Sequence, residues 1–215
     1  MRLLSAPPSP FGRKVKIVAH MKGVMDQITF ETADTRDPTN LTLRQSNPLG
    51  KIPVLILDDG TTQDGAATAA TTLYDSHVIC EYLDSLMPSP ALFPKAGVER
   101  YVALTRAALA DGIMEAGVLA VYEERLREPA ERSTSWVARQ LGKASSGFAA
   151  LELDAASGSL GWTEHPSYDH VAVACALGYF DLRFAGSWRA DFPNLVTWLD
   201  TFAAAVPAFE TTRPT

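Results

Sequence analysis

The chain predicts two unlike domains, an α/β domain at the N-terminus and an all-helical domain behind it. Three observations carry this. Strand and helix signals alternate from residue 2 to residue 83. A break rich in proline follows, with Met87-Pro88-Ser89-Pro90 and Phe93-Pro94, where no helix can continue. Everything beyond it reads as helix. The expected boundaries are 1–83 for the first domain, 84–96 for the linker and 97–215 for the second, a division that the rules of layer packing allow.

Taken in order, Leu3-Leu4 is a short strand. A helix over 10–22 follows, with Phe11, Val15, Val18 and Ala19 at helical spacing and Gly23 to end it. Ser9 is its N-cap and Pro10 suits its first turn, because the missing N–H would lack a partner there anyway. Residues 28–32 alternate as a strand does, and 39–45 suggest a short helix. Asn47-Pro48-Leu49-Gly50 is a turn. Residues 52–57 form a compact apolar strand entered at Pro53. After a run rich in Ala and Thr over 58–71, Thr72-Leu73-Tyr74 returns as a strand. Ser76 is expected to cap the next helix, with Val78, Ile79, Tyr82, Leu83 and Leu86 along one side. The second domain should hold helices over 98–127, 135–153 and 171–184, the last apolar nearly all round. An amphipathic helix is marked by Leu195, Trp198, Leu199 and Phe202.

Composition removes several function classes. Of 215 residues, 47% are hydrophobic and 20% charged, which suits a globular protein with a real core. A net charge of −6 with no basic stripe argues against nucleic acid. No run of about 18 apolar residues and no signal-peptide pattern occur, so a cytoplasmic protein without membrane contact is expected. The two cysteines, Cys80 and Cys175, sit far apart in apolar runs and read as buried thiols. With four scattered histidines, no metal-ligand spacing exists.

Ser9 at the first helix, Pro53 at the mouth of the third strand and Asp75-Ser76 after the fourth would share one edge of a β-α-β-α-β-β-α sheet. Three stretches then carry a resemblance over nearly the whole chain. They are Ser9-Pro10-Phe11-Gly12-Arg13-Lys14-Val15, Asn47-Pro48-Leu49-Gly50-Lys51-Ile52-Pro53-Val54-Leu55, and Leu73-Tyr74-Asp75-Ser76-His77-Val78-Ile79-Cys80-Glu81-Tyr82-Leu83. With Ala176-Leu177-Gly178-Tyr179-Phe180-Asp181, the sequence resembles the cytosolic glutathione transferases, in particular bacterial members of serine type. The resemblance implies a thioredoxin-like first domain, an all-helical second domain, glutathione as co-substrate without a metal, and a homodimer.

Such a site must hold glutathione as its thiolate, because the thiol is a poor nucleophile. A free thiol ionises near pH 8.5, so useful ionisation at neutral pH needs roughly 1.4–2.7 kcal/mol. A hydroxyl donating to the anion supplies about 1.5–3 kcal/mol, and a helix N-terminus adds roughly 0.3–1 kcal/mol. Together they suffice without a general base. Ser9 is the expected donor, with Ser5 at the end of the first strand as the alternative.

The resemblance assigns the remaining roles. Pro53 would be cis and turn Val54 so that its backbone pairs with the cysteinyl part of glutathione like a short added strand. Asp75 would take the γ-glutamyl ammonium, and Ser76 with the helix N-terminal amides its carboxylate. Lys51 would face the glycine carboxylate. Phe11, Met114, Val118 and Tyr122 are candidates for the apolar wall that a hydrophobic electrophile needs, although each could equally be core. Asp111-Gly112 in mid-helix would suit a close approach at a dimer interface, where the acid could reach the partner's glutathione site.

Two features depart from the pattern, and a third residue is open. Residues 59–72 are too long for a hairpin and are expected to form a mobile appendage without a catalytic role. His170 stands where this family's Ser/Thr-x-x-Asp capping box has its acid, so Asp169 would substitute through a shifted cap or the helix would start more weakly. Arg13 is either a surface charge or an aid to the thiolate. The implied activity is conjugation of glutathione to small hydrophobic electrophiles. A lyase, isomerase or peroxidase of the same fold, or a binding protein without catalysis, are the alternatives. A thiol–disulfide exchanger is disfavoured, because serine at position 9 cannot form a mixed disulfide.

Overall fold

A computed structural model describes residues 1–57 and 70–214. Their contacts form two compact units, one of Met1–Ala91 with the chain's end from Thr212, the other Leu92–Thr211.

In the first unit β1 (Arg2–Ser5), β2 (Thr29–Thr32), β3 (Val54–Leu57) and β4 (Thr71–Leu73) make one sheet in the order β2-β1-β3-β4. β1 and β2 run parallel through a crossover that contains α1 (Pro10–Met21), while β3 lies antiparallel to both β1 and β4. The alternation of strand side chains builds two cores. Leu4, Val54 and Ile56 join Ala33 and Leu43 of α2 (Leu41–Ser46) on one face. Leu3 and Leu55, in register with each other, are fully buried on the opposite face.

The helix α3 (Ser76–Leu86) packs on α1. Its cap is Asp75, whose carboxylate accepts the His77 N–H at 3.0 Å, so Ser76 is the first helical residue rather than the cap. The buried face agrees with the expected one at Ile79 and Leu83 and differs at its margins. Ile79, Cys80 and Leu83 are inside with Ser76, while Val78 and Leu86 are exposed. Asp84 reaches the interior because Lys22, just past α1, meets it at 2.8 Å and also donates to the Pro90 carbonyl. A buried charge with both a counter-ion and a carbonyl partner tolerates loss of water far better than one without them.

The mobile appendage expected over 59–72 falls largely outside the described residues; Thr71 and Thr72 open β4. Among the described residues no helix is long and apolar enough to cross a membrane.

The second unit is built on α4 (Val98–Leu126), α5 (Thr134–Ser157), α6 (Tyr168–Phe184), α7 (Pro193–Ala205) and the short α8 (Ala208–Thr211), which carries no sequence signal. Two glycines bring the long helices together. A Cβ on Gly117 would stand 2.8 Å from the Phe180 ring, and one on Gly147 would stand 2.6 Å from Ile113. α6 is buried on every side from Tyr168 to Phe180, as its uninterrupted apolar run predicts. Glu152 of α5 accepts the Asn194 and Leu195 N–H groups at 3.0 and 2.9 Å, which caps α7 from a neighbouring helix.

Candidate functional site

The ends of three strands meet at one edge of the sheet. Leu4 is opposite Val54 and Leu55 is opposite Leu73, so Ser5 leaves β1, Pro53 enters β3 and Tyr74-Asp75 leave β4 at the same end. The sequence places its candidate residues at this end, and the sheet register brings them there.

Ser9 is half-buried and extended in backbone, with its own N–H bonded to Ala6 O at 3.0 Å. Its Oγ accepts the Gly12 N–H at 3.1 Å, and its carbonyl accepts the Arg13 N–H at 3.0 Å. The hydroxyl is thus held as an acceptor by the helix, and its proton is the part left to donate. An anion receiving that proton would also lie at the positive end of a 12-residue helix.

Ser5 differs. Its Oγ is buried with no hydrogen-bond partner among the described residues, and it lies 1.9 Å from where a Cβ on Gly12 would stand. Only glycine at position 12 lets the first turn of α1 lie this close to the end of β1. Gly12 is the residue that sequence reasoning passed over. Its N–H holds Ser9 and its missing side chain admits Ser5, yet a lone glycine in a helix carries no local signal of either.

The turn before β3 is organised by Asn47, which is buried. Its Nδ2 donates to Lys51 O at 3.0 Å, its Oδ1 accepts the Leu49 N–H at 3.0 Å, and its carbonyl accepts the Gly50 N–H at 2.8 Å. Gly50 takes φ +61, a left-handed conformation that favours glycine. The turn presents Lys51 to solvent and leads into the Ile52-Pro53 bond, which is cis. Val54 is buried and lies one residue outside the β3–β4 ladder, which begins at Leu55. Asp75 is exposed and follows a cis bond from Tyr74, while Ser76 is only 2% exposed at the start of α3. Arg13 is no surface charge. It is 4% exposed, and its Nε lies 3.5 Å from Thr212 Oγ1 near the chain's end.

Of the apolar candidates, Phe11 lies in the first turn of α1, half-buried, with the Lys14 ammonium 5.5 Å from its ring. Met114, Val118 and Tyr122 follow one another at four-residue steps along α4 and grade from fully buried through half-buried to 40% exposed. Cys80 and Cys175 are both buried. Among the described residues no three histidine, cysteine or acidic side chains gather as a metal ion would require.

At the start of α6, His170 fills the acidic position of the capping box. Its Nδ1 accepts the Ser167 N–H at 2.9 Å and lies 2.7 Å from Ser167 Oγ, while Asp169 accepts the Ser167 hydroxyl at 2.5 Å through one oxygen and meets Arg106 of α4 at 2.7 Å through the other. The helix start is therefore not weakened, because an imidazole supplies the acceptor that a carboxylate would. Burial lowers the pKa of His170, Asp169 works against that, and Arg106 adds to it.

Comparison with known proteins agrees with this architecture. The family model for the glutathione S-transferase N-terminal domain matches residues 8–86, and that for the C-terminal domain matches 134–201. A GST-like protein of Escherichia coli, YibF, itself uncharacterised, is 32% identical over 215 residues, 100% of this chain and 98% of that protein. A glutathione transferase family member from Pseudomonas fluorescens Pf-5, solved with bound glutathione, is 37% identical with a TM-score of 0.87, over 100% of this chain and 98% of that one. A glutathione S-transferase from Methylobacillus flagellatus KT, also with glutathione bound, is 34% identical with a TM-score of 0.84, over 100% and 99% of the two chains. With both domain models matched in order and full-length relatives above 30% identity, the chain belongs to the glutathione S-transferase family.

Proposed function

We propose that this chain is an enzyme that binds glutathione at the strand-end edge of its first unit and joins the thiolate to small hydrophobic electrophiles. The observation that carries the reading is the Ser9 hydroxyl, fixed as an acceptor by Gly12 N–H with its proton left to donate at a helix N-terminus. Ser5 is the poorer candidate, since its hydroxyl is buried against Gly12. Lys51, Pro53, Val54, Asp75 and Ser76 would hold the tripeptide. Phe11, Val118 and Tyr122 would offer apolar surface to the electrophile, and the fully buried Met114 would support Val118 and Tyr122 along α4. No step requires a metal, because the hydroxyl and the helix end together supply the stabilisation that ionisation needs.

A cytoplasmic homodimer is the proposed working form. It draws support from the outer stripe of α4, where Val98, Tyr101 and Val102 are 68, 68 and 51% exposed. Gly112 lies on the same stripe, with nothing within 4 Å of where its Cβ would stand.

The test is direct. Purified protein given glutathione and a small aryl halide should form the thioether, and should sediment at twice the 23.2 kDa of one chain. Glutathione that binds without any thioether forming, across several electrophile classes, would contradict the enzymatic reading. A mass of one chain would contradict the dimer.

A further inference from the structure

The helical unit has a basic cavity of about 360 Å³ lined by Val121, Glu124, Arg125, Arg132 and Arg183. Three guanidinium groups face one carboxylate there, in a chain whose net charge is −6. Arg125 and Arg183 stand in the last turns of α4 and α6, where positive charge complements a helix end. That accounts for two of the three. It does not account for Arg132, which belongs to neither helix and is steered by a bond from its Nε to Arg127 O at 3.3 Å. Nor does it account for the Arg183 Nε, which is buried with no acceptor among the described residues.

Among the residues that line the cavity, Glu124 is the one carboxylate set against three guanidiniums. Glu123, the other acid at this end of α4, is committed to Arg127 at 2.9 Å and to the Ser133 N–H at 2.9 Å. Beside Arg183 lies the Tyr179 phenol, which burial pushes up to about 12 against the pull of Arg183 and Arg125. It therefore keeps its proton and does not repel an anion.

We propose that Arg125, Arg132 and Arg183 form a binding site for a compact multivalent anion, a phosphate, sulfate or sulfonate group, in the helical unit. Planar guanidiniums suit such oxyanions because each presents paired N–H donors in a fixed fork. The site is independent of the glutathione-binding reading and could hold either a free anion or the anionic end of a larger metabolite.

The experiment is titration calorimetry of the full chain with inorganic phosphate and with sulfate, against chloride at equal ionic strength. One saturable site per chain is expected. Arg132→Gln, at an exposed position where folding is not at risk, should weaken binding ten-fold or more, and Arg183→Gln should do the same. Glu124→Gln should act in the opposite sense and tighten binding several-fold. Phosphate heats no different from chloride, or an Arg132→Gln affinity equal to the parent's, would overturn the proposal. So would arginine variants that change only thermal stability in the absence of anion, since complementing the helix ends would then be their whole role. If phosphate binds but a phosphorylated metabolite binds no better, the site serves the free anion. The reverse preference assigns it to the larger ligand. Each result supports the site and decides between the two sources.

Discussion

At the scale of single residues, the site depends on a contact that places Gly12 between two serines. Ser9 takes the Gly12 N–H, and Ser5 occupies the space where a side chain at position 12 would go. In an unstrained helix interior alanine would be favoured over glycine by about 1 kcal/mol. Here the clash with Ser5 should reverse the sign. Gly12→Ala is expected to destabilise the chain by about 1–3 kcal/mol, the usual range for overpacking, as read by urea unfolding. Ser5→Gly in the same chain should restore part of that loss. A Gly12→Ala protein as stable as the parent would mean that the first turn of α1 is free to move off β1. The cap on α1 was legible from Ser9-Pro10 because both residues act locally. Gly12 was not, since its reason lies seven residues back on another element.

At the scale of elements, the start of α6 links folding to pH. His170 serves as the acceptor of its capping box only while its Nδ1 carries no proton, and burial keeps its pKa below the ordinary value. Asp169 opposes that shift, while Arg106, held at 3.2 Å by Asp154 and at 2.7 Å by Asp169, favours the neutral ring. The unfolded chain then binds a proton that the folded chain does not, so stability rises with pH over this range. The contribution of His170 is fully present above about pH 6.5, the unfolded value, and is lost as pH falls from there toward its lowered native value. His170→Gln keeps an acceptor at the same place without titrating. Unfolding curves of the two proteins should therefore diverge as pH drops below that value, with the parent losing stability faster. Curves that stay parallel would contradict the assignment.

The substitution at position 170 was visible in the sequence, but its remedy was not, because the tautomer is set by a backbone N–H and by burial. The cap of α3 shows a similar limit. Asp75 and Ser76 are adjacent and both good caps, and only the observed bond to His77 N–H decides for Asp75. On the α3 face, Ile79 and Leu83 are buried as their spacing predicts, while Val78 and Leu86 at its margins are exposed.

For the molecule as a whole, the order of elements and the change from α/β to all-helical were readable, because period-2 and period-3.6 patterns are local and the prolines mark where they change. The basic cavity was not, since its three arginines lie up to 58 positions apart, from Arg125 to Arg183, and converge only through packing. Membership of the family supplies the fold; it does not supply the reaction, which in the proposed function rests on what Ser9 does to a thiol.

That can be measured directly by the ultraviolet difference absorbance of glutathione bound to the protein near neutral pH, in the parent and in Ser9→Ala. A thiolate band is expected in the parent and should be largely lost in the variant, with binding kept within a few-fold and turnover lowered ten-fold or more, as removal of about 1.5–3 kcal/mol of stabilisation requires. A band of equal strength in both proteins, with glutathione bound in each, would contradict it.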